Sequence, residues 1–402
     1  MIHMQQNFRS LKVLFPIDCD FDKIKGIKAK KPFDSEVCEF LNELSIAIRE
    51  DKESRKYPDI ITFGFFCRKA NIENLKQKYN KDDRIGRGVS FHIAPSNVPI
   101  NFAYTMVAGL LAGNVCVVKI SSKYFKQTEI ICRLLNSVNE KMNIKIENYI
   151  SIIKYDNDFE ITEYMSSISD IRVIWGGDDT VSNIKNIKCP SRCIDIAFAD
   201  RYSLCILNAE YVTQINNWDK VAQDFYNDTY LYDQNACSSP RLMYWIGADE
   251  VIEEAKEIFW DNVIKYIYPM YELKPVIVVD KLVMDYRAAI ELDNVKIIKY
   301  KNNLVDRIEL KELPSDVTKY MCSGGSFMEY SSDNLDDLKK IVNNKFQTMS
   351  YLGLDSKKLV EWVINNGLKG VDRIVQMGKT MDFSLTWDGY DLIEIMTRKV
   401  YH

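Results

Sequence analysis

Between residues 89 and 200 one pattern recurs: a short, continuously apolar run, then a longer stretch with apolar positions at three- and four-residue spacing. The runs "VSFHIA" (89–94), "VCVVKI" (115–120), "YISIIKY" (149–155) and "IRVIWGG" (171–177) read as strands buried on both faces, the type found in parallel sheets. Between them lie "INFAYTMVAGLLA" (100–112), "KYFKQTEIICRLLNSV" (123–138) and "DFEITEYMSSI" (158–168), and "DDTVSNIKNI" (178–187) follows; all four read as helices. Asn97 offers a cap for the first, with Pro99 in its first turn, and Gly113 a stop. Ser121 and Ser122 offer the next cap. Regular alternation of strand and helix predicts an α/β fold with a doubly wound sheet.

The runs "CIDIAFA" (193–199) and "YSLCIL" (202–207) are expected to close this half as strands. A second αβ half follows: residues 212–232 helical, "RLMYWIG" a strand, 249–268 a long helix, then further alternation to about residue 366. No Gly/Pro/Ser-rich linker marks a boundary, and we place one near Ile206. The expected domains are 1–205, 206–366 and a C-terminal section, 367–402, that serves oligomerisation or returns to the first domain. Residues 93–118 lack any charge and match a membrane span in length. Pro95, Asn97, Pro99, Asn101, Gly109, Gly113 and Asn114 interrupt them, so no membrane span is expected.

Composition narrows the function classes. The 402 residues carry a net charge of −4 with both signs interspersed, which argues against a broad nucleic-acid footprint. The lysines of "KIKGIKAKK" (23–31) have no aromatics among them and read as a solvated face. The opening segment lacks the long apolar core and cleavage site of a signal peptide, so the ten cysteines read as cytoplasmic thiols. Cys189 and Cys193 are four apart, but no second pair or nearby His completes a zinc site, and no metal is expected.

Few residues are placed for chemistry. There is no GxGxxG and no GxxxxGK[ST]. Lys119 at the end of "VCVVK" either reaches a ribose hydroxyl or phosphate or simply ends a strand at the surface. Gly176–Gly177 opens a helix that can meet a phosphate, or is a plain turn. Cys237 sits in "DQNACSSPR" (233–241), between a helix and a strand, among small residues that leave backbone N–H groups approachable. It is either a buried core thiol or a nucleophile, and no histidine lies near it in sequence. His92, in an apolar strand, reads as a satisfied core histidine.

Three segments in order, "APSNVPINFAYTMVAGLLAGNVCVVKISSK", "VIWGGDDTV" and "DQNACSSPR", resemble the LuxC family of acyl-CoA reductases, a branch of the aldehyde dehydrogenase superfamily. The tail "GLKGVDRIVQMGKTMDFSLTWDGYDL" is similar to that family's C-terminus. The resemblance implies an aldehyde dehydrogenase-like fold, with an NADP-binding domain and a catalytic domain carrying Cys237 as acyl acceptor. It implies that Asn97 holds the oxyanion, as in the superfamily's "WNFP"-like loop, although Ser96 and Val98 replace the tryptophan and phenylalanine. It places Lys119 on the adenosine ribose, Ser121 and Ser122 beside it, and Gly176 and Gly177 near the phosphate-side "TGS" turn. Ile120 stands where a proline is usual. Ser122 lies where many NAD-preferring members carry a glutamate; with neighbouring Lys123 it removes that residue's repulsion of a 2′-phosphate and offers donors, which points to NADPH.

Hydrolytic members carry a water-activating glutamate in an "ELGGK" segment. Here that stretch reads "DIAFADRYS", and no Glu occurs between Glu163 and Glu210. The resemblance therefore implies NADPH-dependent reduction of a fatty acyl-CoA to an aldehyde through a thioacyl-cysteine. The implied partners are acyl-CoA or an acylated partner synthetase, in a homo-oligomer. Two alternatives stay open: an oxidising aldehyde dehydrogenase, and an inactive acyl-carrying scaffold protein.

Overall fold

The computed structural model describes residues 10–16, 19–79, 82–142, 146–300 and 302–402. The segment read for a leader lies mostly outside the described residues, as does His3. The chain forms two compact units, Met1–Ala199 with Leu385–His402, and Asp200–Ser384.

The first unit contains β1 (Lys12–Phe15), β2 (Arg84–Gly86), β3 (Val89–Ile93), β4 (Val115–Lys119), β5 (Ile150–Lys154), β6 (Ile171–Trp175) and β7 (Ile194–Phe198). All but β2 form one sheet, in the order β1-β5-β4-β3-β6-β7. Only the edge strand β1 is antiparallel to its neighbour. The chain runs outward from β3 through β4 and β5, then returns to the other side of β3 with β6 and β7. Such a reversal opens a crevice at the carboxyl ends of the strands, where ligands of doubly wound sheets bind.

The uncharged stretch 93–118 folds as expected into a loop, the helix Asn101–Leu111 and β4. Ten of that helix's eleven residues are buried. It ends at Gly113, whose φ of +84° favours glycine. Gly113 N–H donates to Leu110 O (2.8 Å) and Asn114 N–H to Gly109 O (3.0 Å), the paired bonds of a Schellman stop. The expected caps differ. The helix begins at Asn101 with Ile100 as its N-cap, so Asn97 lies in the preceding loop. The next helix begins at Lys126, and the Ser121 hydroxyl instead accepts from Lys123 N–H at 3.1 Å.

The second unit contains β8 (Tyr202–Asn208), β9 (Pro240–Ile246), β10 (Lys296–Lys299), β11 (Asp306–Leu310), β12 (Ser326–Ser332), β13 (Phe346–Leu352) and β14 (Arg373–Gln376). They form one sheet in the order β10-β11-β12-β9-β8-β13-β14, parallel except at β10. The division falls at Ala199/Asp200, not near Ile206, because "YSLCIL" pairs with β9 and β13 and so opens the second sheet. Residues 367–402 are likewise split. Arg373–Gln376 edges the second sheet, while Thr397–Lys399 pairs antiparallel with β2 in the first unit. The helical reading of 212–232 resolves into Ala209–Thr213, Trp218–Thr229 and a 3-10 turn Tyr230–Tyr232. The helix Asp249–Ile267 packs Phe259 and Trp260 against Phe225 at ring-centroid distances of 5.2 and 5.7 Å.

Candidate active site

In the first unit, β4, β3 and β6 are neighbours, so the segments after them share one edge of the sheet. These segments carry Asn97, then Ser121 and Ser122, then Gly176 and Gly177; Lys119 is the last residue of β4. Asn97 is exposed in the bend after β3. The Lys119 ammonium lies 4.9 Å from the Tyr155 ring centroid. Burial pulls its pKa below the usual lysine value, opposed by the negative charge of Asp156. Ser122 and Lys123 are exposed beside it.

A dinucleotide matches this edge in part. A half-buried cation and two serines at the end of a central strand suit a ribose or a phosphate. The glycine pair is less suited to one. Gly176 N–H is spent on Phe198 O (3.1 Å), and a Cβ there would stand 2.9 Å from the Thr180 side chain, so Gly176 serves close helix packing. The helix that follows opens with Asp178 and Asp179, whose carboxylates already use the positive field of its N-terminus.

In the second unit, the cysteine segment is fastened at many points. Asp233 and Gln234 both have left-handed backbones (φ 53° and 59°), which turns the chain sharply out of the 3-10 turn. The buried Gln234 side chain donates to Pro240 O (2.9 Å) and Ser326 O (3.1 Å), and its Oε1 accepts from Gly325 N–H (3.0 Å) and Ser326 N–H (3.2 Å). The Asp233 carboxylate accepts from Tyr271 Oη (2.8 Å) and Lys274 Nζ (2.6 Å). At the crest, Ser203 Oγ donates to Cys237 O at 2.6 Å, and Ser238 Oγ donates to Met381 Sδ at 3.4 Å. The thiol of Cys237 is free of any disulfide and half-buried.

Arg241 closes the loop. Its Nη2 donates to Gln234 O (2.9 Å), and its guanidinium lies 5.6 Å from the Tyr202 ring centroid. Its Nε is buried with no hydrogen-bond partner, and it makes no salt bridge among the described residues. Burial pulls Arg241 below the usual arginine value. Cys237 opposes this most strongly, then Tyr202, Cys322 and Asp200. A positive charge close to a thiol favours the thiolate.

Three carboxylates and the core histidine are engaged. Asp195 binds Arg172 through both oxygens at 2.7 Å. Glu329 accepts from Trp245 Nε1 (3.1 Å), Trp260 Nε1 (2.7 Å) and Arg307 Nε (2.6 Å). Asp228 accepts from Gly378 N–H (2.6 Å) and Thr380 N–H (3.0 Å). His92 is buried between Thr105 Oγ1 (2.8 Å) and Ser90 Oγ (2.9 Å), and burial lowers its pKa to about 3, so it is neutral. Asp200 and Glu210 are exposed. Sequence reasoning missed Gln234 and Arg241. Both stand in the segment quoted for Cys237, but nothing there announces the left-handed turn that folds them back on it.

The two units define an α/β protein of the aldehyde dehydrogenase-like fold. A NAD-dependent benzaldehyde dehydrogenase from Corynebacterium glutamicum superposes with a TM-score of 0.66 at 14% identity, covering 94% of this chain and 86% of that one. A 3,6-anhydro-L-galactose dehydrogenase in complex with NAP gives 0.66 at 13% identity, covering 97% and 95%. The family model for acyl-CoA reductase (LuxC) matches residues 20–276, and the chain belongs to that family.

Relatives include a long-chain acyl-protein thioester reductase of Aliivibrio fischeri, 26% identical over 40% of this chain and 32% of that protein. One from Vibrio harveyi is 23% identical over 73% and 59%, and one from Photorhabdus laumondii 22% over 86% and 70%. The first two matches thus span about a third and under two-thirds of those relatives' own lengths. No helix among the described residues is long and apolar enough to cross a membrane.

Proposed function

We propose that the protein reduces a long-chain acyl thioester to an aldehyde through an acyl group carried on Cys237. The observation that carries this reading is the cysteine loop: a half-buried thiol, a backbone fastened on both sides, and a buried guanidinium that makes no salt bridge among the described residues. Arg241 favours the Cys237 thiolate, which attacks the thioester carbonyl. The oxyanion is held by the Cys237 N–H, a donor of a kind typically worth about 3 kcal/mol in the transition state, and the family resemblance nominates the Asn97 side-chain amide as a second. The donor thiol leaves as a thiolate, and the acyl group stays on Cys237.

Lys119, Ser121, Ser122 and Gly177 are proposed to hold NADPH, with Gly176 positioning that turn by packing. Ser122 and Lys123 bring no carboxylate to repel a 2′-phosphate. When bound, the dinucleotide supplies the hydride that reduces the acyl carbon. Cys237 then departs as the carbonyl re-forms, and the thiolate is restored. The lack of any Glu between Glu163 and Glu210 supports a reductase that preserves its acyl-cysteine over an enzyme that hydrolyses it. The names of the relatives support an acyl-protein as donor, and acyl-CoA is the second candidate.

Intact-protein mass spectrometry after exposure to acyl-CoA or acylated carrier protein tests the reading. One acyl adduct, absent from Cys237→Ala, is expected. Aldehyde production by Cys237→Ala at the wild-type rate would sink it.

A further inference from the structure

The helix Pro275–Glu291 has its faces reversed. Its buried positions are Ile277, Lys281, Asp285 and Ala288. Lys281 Nζ donates to Asn303 O (2.8 Å) and Gly324 O (3.0 Å), and Asp285 pairs with Lys299 Nζ (2.7 Å). Polar bonds therefore fasten its inner side. The outer side carries Val276, Val279, Val283, Tyr286 and Ile290, each between 58% and 83% exposed. Their spacings are three, four, three and four, the seam of a coiled coil. An apolar stripe of this length, roughly 21 Å at 1.5 Å per residue, is not ordinary surface.

We propose that this helix pairs antiparallel, about a two-fold axis, with the same helix of a second copy of the chain. The flanking charges select that partner and that direction. Set Val283 opposite Tyr286 of the second copy, and Val279 opposite its Ile290. The seam-flanking positions that then meet are Asp280 with Arg287 of the second copy, Arg287 with its Asp280, and Leu282 with its Ala289. All four residues are exposed. Two ion pairs and two apolar contacts form from one sequence, as an isologous interface requires. A parallel pairing sets Leu282 against Arg287 and forms no ion pair. In the single chain Arg287 pairs with Glu291 (3.1 Å), but that pair is half-exposed and weak, so Arg287 is available. The exposed charges beside the stripe, Asp280, Arg287 and Glu291, are of mixed sign, which disfavours an anionic membrane surface.

The test is sedimentation of the full chain over a concentration series, with circular dichroism to confirm folding. Wild type is expected to show an association step below about 100 µM that Val283→Asp removes. Asp280→Arg and Arg287→Asp should each weaken that step about tenfold or more, because like charges then face each other. The double variant should recover to within about threefold of wild type. A wild type without the step, or a step unchanged in Val283→Asp, overturns the proposal. So does a double variant no better than the singles, which would assign the stripe to a different partner or pairing.

Discussion

Arg241 donates through Nη2 to the carbonyl of Gln234 at 2.9 Å, so the residues on either side of Cys237 are bonded to each other. The loop is thereby closed by the same side chain that lends the thiol its positive neighbour. Replacing Arg241 with Gln should raise the pH at which Cys237 is alkylated by iodoacetamide, since removing a positive charge close to the thiol disfavours the thiolate. At pH values where the thiolate is fully formed, the alkylation rate should match wild type. Arg241→Lys should fall between the two. A rate reduced equally at every pH would assign Arg241 a purely structural role.

Replacing Ser122 with Glu should weaken NADPH far more than NADH. A carboxylate at this exposed position, beside the Lys119 strand end, would face a 2′-phosphate, and like charges at short range repel. Fluorescence titration with both cofactors reads the outcome. Equal weakening would place the ribose elsewhere.

Asp228 ties the end of the helix Trp218–Thr229 to Gly378 and Thr380, and burial pushes its pKa up to about 7. A carboxyl whose folded value exceeds its unfolded value contributes stability that is fully present below about pH 4 and lost as pH rises through 7. Wild type should therefore lose stability relative to Asp228→Asn between pH 4 and 7.5, by up to a few kcal/mol. Urea unfolding at the two pH values measures it. A gap that widens in favour of wild type would show that the two backbone N–H donors outweigh burial.

Much of this was legible in the sequence. The apolar runs that became β3, β4, β5 and β6 are buried on both faces, so they read without alternation, and Gly113 stopped its helix as expected. The unit boundary was not legible, because β7 and β8 are consecutive apolar strands that differ only in which sheet they join. The helix starts at Asn101 and Lys126 were misread because Asn97, Ser121 and Ser122 have the chemistry of caps but sit in loops. Cys237 was visible as a candidate, whereas Gln234 and Arg241 are folded back onto the cysteine segment only by the left-handed turn at Asp233 and Gln234.

The most direct test of the central claim follows the fate of a radioactive acyl group on Cys237, scored as fatty acid or aldehyde in a timed quench. Without NADPH the acyl-cysteine should persist for many turnover times, because the stretch that carries the water-activating glutamate in hydrolytic members reads "DIAFADRYS" here, and a positioned base would contribute about 10²- to 10⁴-fold to its hydrolysis. With NADPH the label should leave as aldehyde. Release as fatty acid without NADPH, at the rate aldehyde forms with it, would contradict the account and turn attention to Asp200 and Glu210.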